Sequence, residues 1–293
     1  MAPLVIISPV RNEAAYIRKT LDAVIAQTVR PAEWIVVDDG STDDTAKIVA
    51  NYAARHPFIR LLRRGDRGFR HLGAGVIAAF NDGRSQVRSA DWRFIAKLDG
   101  DMSFPPRYVE IMLGELERDP RLANVSGKVF RPEGGRLVEE YIRDEHTAGQ
   151  FKLYRREAFE QIGGFPETIA WDAIDVHRCR MNGWEARSFD HPDARLYHHR
   201  LMGSSDRSVY KGRVRLGRAN WFMGYHPLYA IASGVFRMHE KPRIAGGLII
   251  ILAYFYAALR REPQFPDPAF RRYLRAWQVG QLKALLGRPP PSG

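Results

Sequence analysis

Short apolar runs alternate with amphipathic stretches at the start of this chain, and that pattern limits the fold more than any other feature. Leu4-Val-Ile-Ile-Ser8 is an uninterrupted apolar run of strand length, the signature of a strand covered on both faces. Pro9-Val-Arg-Asn12 ends it, and Glu13 to Gln27 reads as a helix with Ile17, Leu21, Val24 and Ile25 on one face. Trp34-Ile-Val-Val37 is a second strand, closing in Asp38-Asp39-Gly40-Ser41. Thr42-Asp43-Asp44 then opens a helix whose first turn is acidic, as the helix dipole favours. Phe58 to Leu62 is a third strand. Strand, helix, strand, helix, strand with short connections predicts an α/β fold built on a doubly wound, mainly parallel sheet.

Ligands of such sheets bind at the carboxyl ends of the strands. Ser8-Pro9, Asp38-Asp39 and Asp99-Gly-Asp101 all fall at predicted strand ends, which places three polar clusters on one edge. The last lies in Ala96-Lys97-Leu98-Asp99-Gly100-Asp101, between the strand-like Asp91 to Ala96 and a helix start at Ser103 to Tyr108. Carboxylates one residue apart on extended chain point roughly the same way, and Gly100 lets a ligand approach the backbone. Carboxylate oxygens suit Mg²⁺ or Mn²⁺, which take substrate phosphates as further ligands. The competing interpretation is a surface turn, since Asp-Gly is a common turn pair. Gly65 to Gly75 lacks both the dinucleotide and the P-loop context. Its Arg67, Arg70 and His71 are candidate phosphate contacts or members of a solvated basic loop. Further on, Tyr108 to Arg118 reads as an amphipathic helix and Asn124 to Phe130 as a strand. Arg131 to Arg136 reads as a loop, Gln150 to Arg155 as extended, and Glu157 to Ile162 as a short helix stopped by Gly163-Gly164.

The 293 residues, 45% hydrophobic and 27% charged, allow a real core and exclude a disordered chain. One cysteine, Cys179, excludes a disulfide framework and fits a reducing compartment. Met1-Ala-Pro leads into a strand without a basic segment, so no signal peptide is expected. The net charge of +12 is unevenly placed. Residues 1–199 hold 29 basic and 29 acidic residues, and residues 200–293 hold 16 basic and 4 acidic. A neutral body with a basic appendage fits an anionic membrane surface better than nucleic acid, because the basic residues are mixed with Leu, Ile, Trp and Tyr and no nucleic-acid module is present.

Four motifs in order carry a family resemblance. Ser8-Pro-Val-Arg-Asn-Glu13 resembles the opening motif of family 2 glycosyltransferases, usually written with Tyr where Arg11 stands. Val37-Asp-Asp-Gly-Ser-Thr-Asp-Asp-Thr45 is similar to their second motif, Leu98-Asp-Gly-Asp101 to their DxD metal motif, and Ile162-Gly-Gly-Phe165 to the segment before the acceptor site. The resemblance covers about residues 3–205. It implies a GT-A fold, a nucleotide-sugar donor, Mg²⁺ or Mn²⁺, and inversion at the anomeric carbon.

What the resemblance implies can be carried over residue by residue. Pro9, Val10 and Glu13 would line the nucleotide pocket, with Asp38 near the base and Asp39 either assisting it or capping a helix. Asp99 would face the ribose or the metal, and Asp101 would be the principal metal ligand. Lys97 would reach a phosphate or bury its stem; Arg70, outside the four motifs, stays a candidate donor contact of the basic loop. The general base normally comes from a Glu-Asp pair beyond the Gly-Gly-Phe segment. Here that stretch is Ala170-Trp-Asp-Ala-Ile-Asp175, where Asp172 falls on the aspartate and Trp171 replaces its acidic neighbour. Asp172 is the expected base; Asp175, one turn on, is the runner-up, or else an ion-pair partner of Arg178. Trp171 would stack on an acceptor sugar or simply pack. Tyr197-His198-His199 matches the late histidine that completes the metal or pyrophosphate site, and only one of the pair can face it. The absence of a Gln-x-x-Arg-Trp segment favours single addition over processive polymerisation.

Two domains are therefore expected: a catalytic domain over residues 1–205 and a basic, helical, membrane-associated region over residues 206–293. Ile244 to Leu259 is uncharged for sixteen residues, roughly 24 Å as a helix and short of the ~30 Å hydrocarbon core. An interfacial, re-entrant or buried helix fits that length better than a span. Arg260-Arg261 and Arg271 to Trp277 resemble interface anchors, and Arg288 to Gly293 reads as a disordered tail. The expected activity is transfer of one sugar to a saccharide or polyprenyl-linked acceptor in cell-envelope or exopolysaccharide assembly. Its place would be the cytoplasm, peripheral or monotopic at the inner face of the membrane. A sugar nucleotidyltransferase and a non-catalytic nucleotide-sugar or glycan-binding module are the alternatives.

Overall fold

Residues Ala2–Val10 form β1, the apolar strand on which the first half of the chain is laid out. The structure, a computed structural model, describes residues 2–66, 73–199, 209–240, 242–285 and 287. The chain divides into two units, Met1–Leu201 and Met202–Gly293.

In the first unit β2 (Pro31–Asp38), β3 (Ile59–Arg63) and β4 (Phe94–Leu98) run parallel to β1 in the order β4-β1-β2-β3. Beyond β4 the sheet continues through an antiparallel β9 (Phe151–Arg155) to β6 (Leu122–Gly127) and β10 (Glu185–Phe189), giving seven strands among the described residues. A smaller sheet, in the order β5-β11-β7-β8, joins β5 (Met102–Ser103), β11 (Leu196–His198), β7 (Val129–Glu133) and β8 (Arg136–Glu140).

Alternation explains the layers. Leu4 and Ile6 of β1, Trp34 and Val36 of β2, and Phe94 and Ala96 of β4 face one core. There they meet α1 (Ile17–Ile25), α2 (Thr45–Ala53) and α4 (Tyr108–Arg118). Val5, Ile7, Ile35, Val37 and Ile95 face the other core, covered by α3 (Ala74–Ser85), α5 (Arg156–Gln161) and α6 (Trp171–Met181). Each large side chain so buried stabilises by about 1.5–3 kcal/mol before ordering costs. α3 comes closest to the sheet at Gly83, where a Cβ would lie 2.7 Å from Ile7 and 2.8 Å from Val37. Any side chain there would push α3 away.

Three local expectations are corrected. Arg131 to Arg136 is not simply a loop: its ends belong to β7 and β8, which pair antiparallel around Gly134-Gly135. Asp43 and Asp44 precede α2 rather than occupying its first turn. Asp43 Oδ1 instead accepts from the Thr45 N–H (2.9 Å), and Oδ2 from the Ala14 N–H (3.0 Å), tying the second motif to the first. Ser103 ends the short β5, and the helix waits until Tyr108.

The second unit is helical: α7 (Val209–Met223), α8 (Pro227–Phe236), α9 (Arg243–Leu259) and α10 (Pro268–Leu285). α9 packs on α7 and α8 through glycines. A Cβ on Gly217 would lie 2.3 Å from the Ile250 carbonyl oxygen, and one on Gly234 2.4 Å from the Ile251 side chain. The Tyr254 hydroxyl donates to the Tyr225 carbonyl (2.7 Å), and Arg218 holds Glu262 with two hydrogen bonds (2.8 and 3.0 Å). No helix among the described residues is long and apolar enough to cross a membrane.

Candidate active site

The carboxyl ends of β1, β2 and β4 share one edge of the sheet. The register sets Val10 beside Asp38 and Ile7 beside Lys97. At the β2 end, Asp38 Oδ1 accepts from the Ser41 N–H (3.0 Å), which closes the turn. Asp39 is not a helix cap; its Oδ1 accepts from Arg64 (2.6 Å) while its carbonyl accepts from Arg11 (2.5 Å). Arg11, in the place of the motif tyrosine, also reaches Asp66 Oδ1 (2.7 Å). Glu13 is buried, and its backbone N–H donates to Thr45 Oγ1 (2.8 Å). Pro9 is half-buried on β1 and Val10 buried. Arg70, with Arg67 and His71, lies outside the described residues.

At the β4 end the Asp99 N–H donates to the Gln150 carbonyl (2.8 Å). Gly100 has a different role from the one expected. A Cβ there would lie 2.8 Å from Val10, 3.2 Å from Ile17 and 3.3 Å from Glu13, so the missing side chain serves packing against β1 and α1 rather than approach by a ligand. Lys97 takes the buried alternative: its ammonium donates to Asp99 Oδ1 (2.5 Å) and the Gly149 carbonyl (2.9 Å), and lies 5.1 Å from the centre of the Trp171 ring. Burial raises the Asp99 carboxyl above its ordinary range and Asp101 adds to this, against the pull of Lys97.

The short β5 explains how a late histidine reaches the motif. β11 pairs antiparallel with it, placing His198 opposite Met102, and the His199 N–H donates to the Asp101 carbonyl (3.0 Å). His198 Nε2 lies 3.4 Å from Asp101 Oδ2, and its Nδ1 donates to Glu140 Oε1 (3.1 Å). His199 turns the other way, with Nε2 2.8 Å from Ser103 Oγ and Nδ1 accepting from Lys19 (3.4 Å). His198 is thus the member of the pair that meets Asp101, and His199 is not placed as a ligand. Burial alone would lower the His198 pKa; hydrogen bonds to Asp101 and Glu140 outweigh it and push it up to about 10.

Glu140 escaped the sequence reading. It is the one buried residue of β8, whose other members are exposed. Its partner His198 lies 58 residues along the chain, so only the folded hairpin reveals it. It also accepts from Gln150 Nε2 (3.2 Å).

Farther along the chain, Ala170 takes a left-handed conformation (φ 57°) immediately before α6. Asp172 is exposed in the first turn of that helix. A Cβ on Gly149 would lie 3.1 Å from Asp172 Oδ2, so this glycine leaves room for the carboxylate. Gly149 also accepts from Lys97, so this glycine lies between the Lys97–Asp99 pair and the space beside the expected base. Asp175 does not reach this surface. It is fully buried, Oδ2 accepting from Lys152 (2.9 Å) and Tyr154 (2.6 Å), so its ion pair is with Lys152 and not Arg178. Burial raises its pKa, with Lys152 opposing. Trp171 is 7% exposed and packs edge-on against Phe165 (4.9 Å), with the Lys97 and Lys152 ammonium groups 5.1 and 5.5 Å from its ring centre. That is packing with cation–π contacts, not an open stacking platform.

Among the described residues no group of three or more His, Cys, Asp or Glu side chains is arranged to hold a metal ion by itself. Asp101 and His198 supply one carboxylate and one imidazole, the imidazole being backed by a carboxylate as metal-bound histidines commonly are. Such a pair fits a cation that completes its shell with substrate phosphate oxygens.

Comparison with known proteins gives the family and the fold. The sequence model described as glycosyl transferase family 2 matches residues 5–171, more than half of the chain. The chain belongs to that family. Its fold is of the GT-A type. The Escherichia coli chondroitin synthase is 28% identical over 69% of this chain, which spans 30% of that protein's length. The glycosyltransferase AglE of Haloferax volcanii is 28% identical over 68% of this chain, spanning 65% of its length. Among solved structures, the mannosyltransferase PcManGT from Pyrobaculum calidifontis, in complex with GDP-Man and Mn²⁺, superposes with a TM-score of 0.56 at 18% identity, covering 98% of this chain and 89% of that one. S. aureus TarS 1-349 in complex with UDP-GlcNAc gives 0.56 at 16% identity, covering 97% and 81%. At these identities the structures attest the fold. The family match stops one residue short of Asp172, and both Asp172 and His198 are placed by this chain's own geometry.

Proposed function

We propose that the protein is an inverting, divalent-cation-dependent transferase that moves one sugar from a nucleotide-sugar donor to a saccharide or polyprenyl-linked acceptor. The observation that carries this reading is the meeting of Asp101 with His198 at the end of the strand whose Lys97 holds Gly149, the glycine that leaves room for exposed Asp172. Donor complexes of fold neighbours with GDP-Man and UDP-GlcNAc support a nucleotide-sugar in the corresponding cleft. Pro9, Val10, Glu13 and Asp38 would line the nucleotide, with Arg11 and Asp39 holding the loop around it. Asp101 and His198, with Asp99 beside them, would hold Mg²⁺ or Mn²⁺. When bound, the cation offsets the charge of the departing nucleoside diphosphate.

Asp172 accepts the acceptor hydroxyl proton as that oxygen attacks the anomeric carbon from the face opposite the diphosphate. The C–O bond to the phosphate breaks, the new glycosidic bond forms, and configuration inverts. Lys97 compensates Asp99 and holds Gly149, keeping base and motif in register. We place the reaction in cell-envelope or exopolysaccharide assembly at the inner face of the cytoplasmic membrane. That location is supported by the excess positive charge of residues 200–293.

The test is turnover over a panel of UDP-, GDP- and dTDP-sugars with Mn²⁺, Mg²⁺ or chelator. Metal-dependent release of a nucleoside diphosphate with a β/α switch in the product is expected. Retention of configuration, or undiminished transfer in chelator, would overturn it.

A further inference from the structure

α9 has two faces of different fate. Gly246, Gly247, Ile250, Ala253, Tyr254 and Ala257 are buried. Ile244, Leu248, Leu252, Phe255, Tyr256 and Leu259 are exposed. The exposed set recurs at helical spacing and forms a single stripe running the length of the helix. Leu252 is 67% and Leu259 82% exposed. The stripe contains no charge, while Arg243 at its start and Arg260 and Arg261 at its end are exposed. α8, packed on α9 where Gly234 meets Gly247, adds exposed Leu228, Val235 and Phe236. Isolated apolar residues on a surface need no explanation, but a continuous stripe along a whole helix does.

We propose that this α8–α9 face is the docking surface of the protein on an anionic lipid bilayer, lying in the headgroup region without crossing it. The inference deepens the membrane location given above. Charge complementarity selects the occupant. An uncharged stripe ended by arginines, in a segment holding 16 basic and 4 acidic residues, matches a layer that is apolar inside and negative at its surface. A second copy on the same face would bring like-charged arginines together. Depth is limited as well: α9 has 17 residues, about 25 Å of helix. One side already packs on α7 and α8, so only the other can enter lipid. Tyr256, one turn before Arg260, is suited to the headgroup boundary.

The experiment is co-sedimentation of the full chain with phosphatidylcholine vesicles with and without phosphatidylglycerol, at low and high salt. The wild type is expected to pellet with phosphatidylglycerol vesicles and to be partly released by salt. Leu252→Glu/Phe255→Glu should lose about tenfold or more of this binding, since two apolar side chains leave the lipid. Arg260→Glu/Arg261→Glu should lose the preference for anionic vesicles. Both pairs are solvent-exposed, so an unchanged melting temperature is expected and confirms that the variants fold. A wild type that stays in the supernatant, or a Leu252→Glu/Phe255→Glu protein that pellets like wild type, would overturn the proposal. So would a vesicle-free dimer, seen by sedimentation velocity, that the same variant abolishes. Nucleoside diphosphate release measured without vesicles on the same preparations reports the transfer reading separately and should be the same in all three proteins.

Discussion

In the catalytic unit both faces of the central sheet are roofed by helices, and Leu4, Val5, Ile6 and Ile7 are all fully buried although they point in opposite directions. In the helical unit α9 is as apolar as any strand of that sheet, yet half of it stays open. The first arrangement brings the polar residues that follow β1, β2 and β4 together on one edge. The second leaves apolar surface outside and concentrates positive charge in the same segment. One unit thus satisfies its own apolar residues and presents chemistry; the other presents an unfinished surface. Four substitutions test that contrast, in order of decreasing effect.

Within the catalytic unit, two aspartates one helical turn apart should behave as different kinds of residue. Asp172→Asn is expected to slow transfer by about 10²–10⁴-fold, the usual worth of a general base, with donor binding and melting temperature unchanged. Loss of binding without loss of turnover at saturation would contradict it. Asp175→Asn should instead cost stability, on the order of 3–5 kcal/mol, because it leaves the Lys152 ammonium buried without its counter-charge. Denaturant unfolding measures that cost, and a variant as stable as wild type but inactive would contradict the assignment.

In the helical unit, Gly217→Val would drive a side chain into the Ile250 carbonyl and should destabilise by about 1–3 kcal/mol. Melting of the variant would show it. A neutral result would mean that α7 and α9 are not packed as described.

The smallest effect concerns acid stability. Burial would raise the Glu33 pKa, but the N–H groups of Arg88 and Ser89 and the Arg60 guanidinium outweigh it and lower it. A carboxyl lowered on folding contributes stability above its unfolded value near 4.5. That contribution is lost as pH falls through the lower folded value. Glu33→Gln should therefore flatten the acid limb of stability against pH below about 4.5 and cost about 1–2 kcal/mol at neutral pH.

Much of the catalytic unit was legible in the sequence, because its strands are short apolar runs whose ends carry the polar motifs. The Tyr108–Arg118 helix was read to its observed ends. What escaped depends on partners distant in the chain. Glu140 looks like one more residue of a polar hairpin until β8 pairs with β7 and closes on His198. The two-residue β5 has no periodicity to detect, yet its pairing chooses His198 over His199. Gly100 is packed rather than open to a ligand, and of the two alternatives for Trp171 the structure shows packing, since a residue type cannot say which neighbours fill the space beside it. The open face of α9 was similarly hidden: sixteen uncharged residues look uniform until the fold covers one side and leaves the other bare.

The central claim is that Asp101 and His198 complete a donor site through a shared cation. The most direct measurement is the thermal shift of wild type and Asp101→Ala with GDP or UDP, in Mn²⁺ and in chelator. Ligands that bind only the folded state raise its melting temperature by mass action. The account predicts a nucleotide-dependent rise in wild type that needs Mn²⁺ and is lost in Asp101→Ala. An equal rise in chelator, or in Asp101→Ala with Mn²⁺, would contradict it.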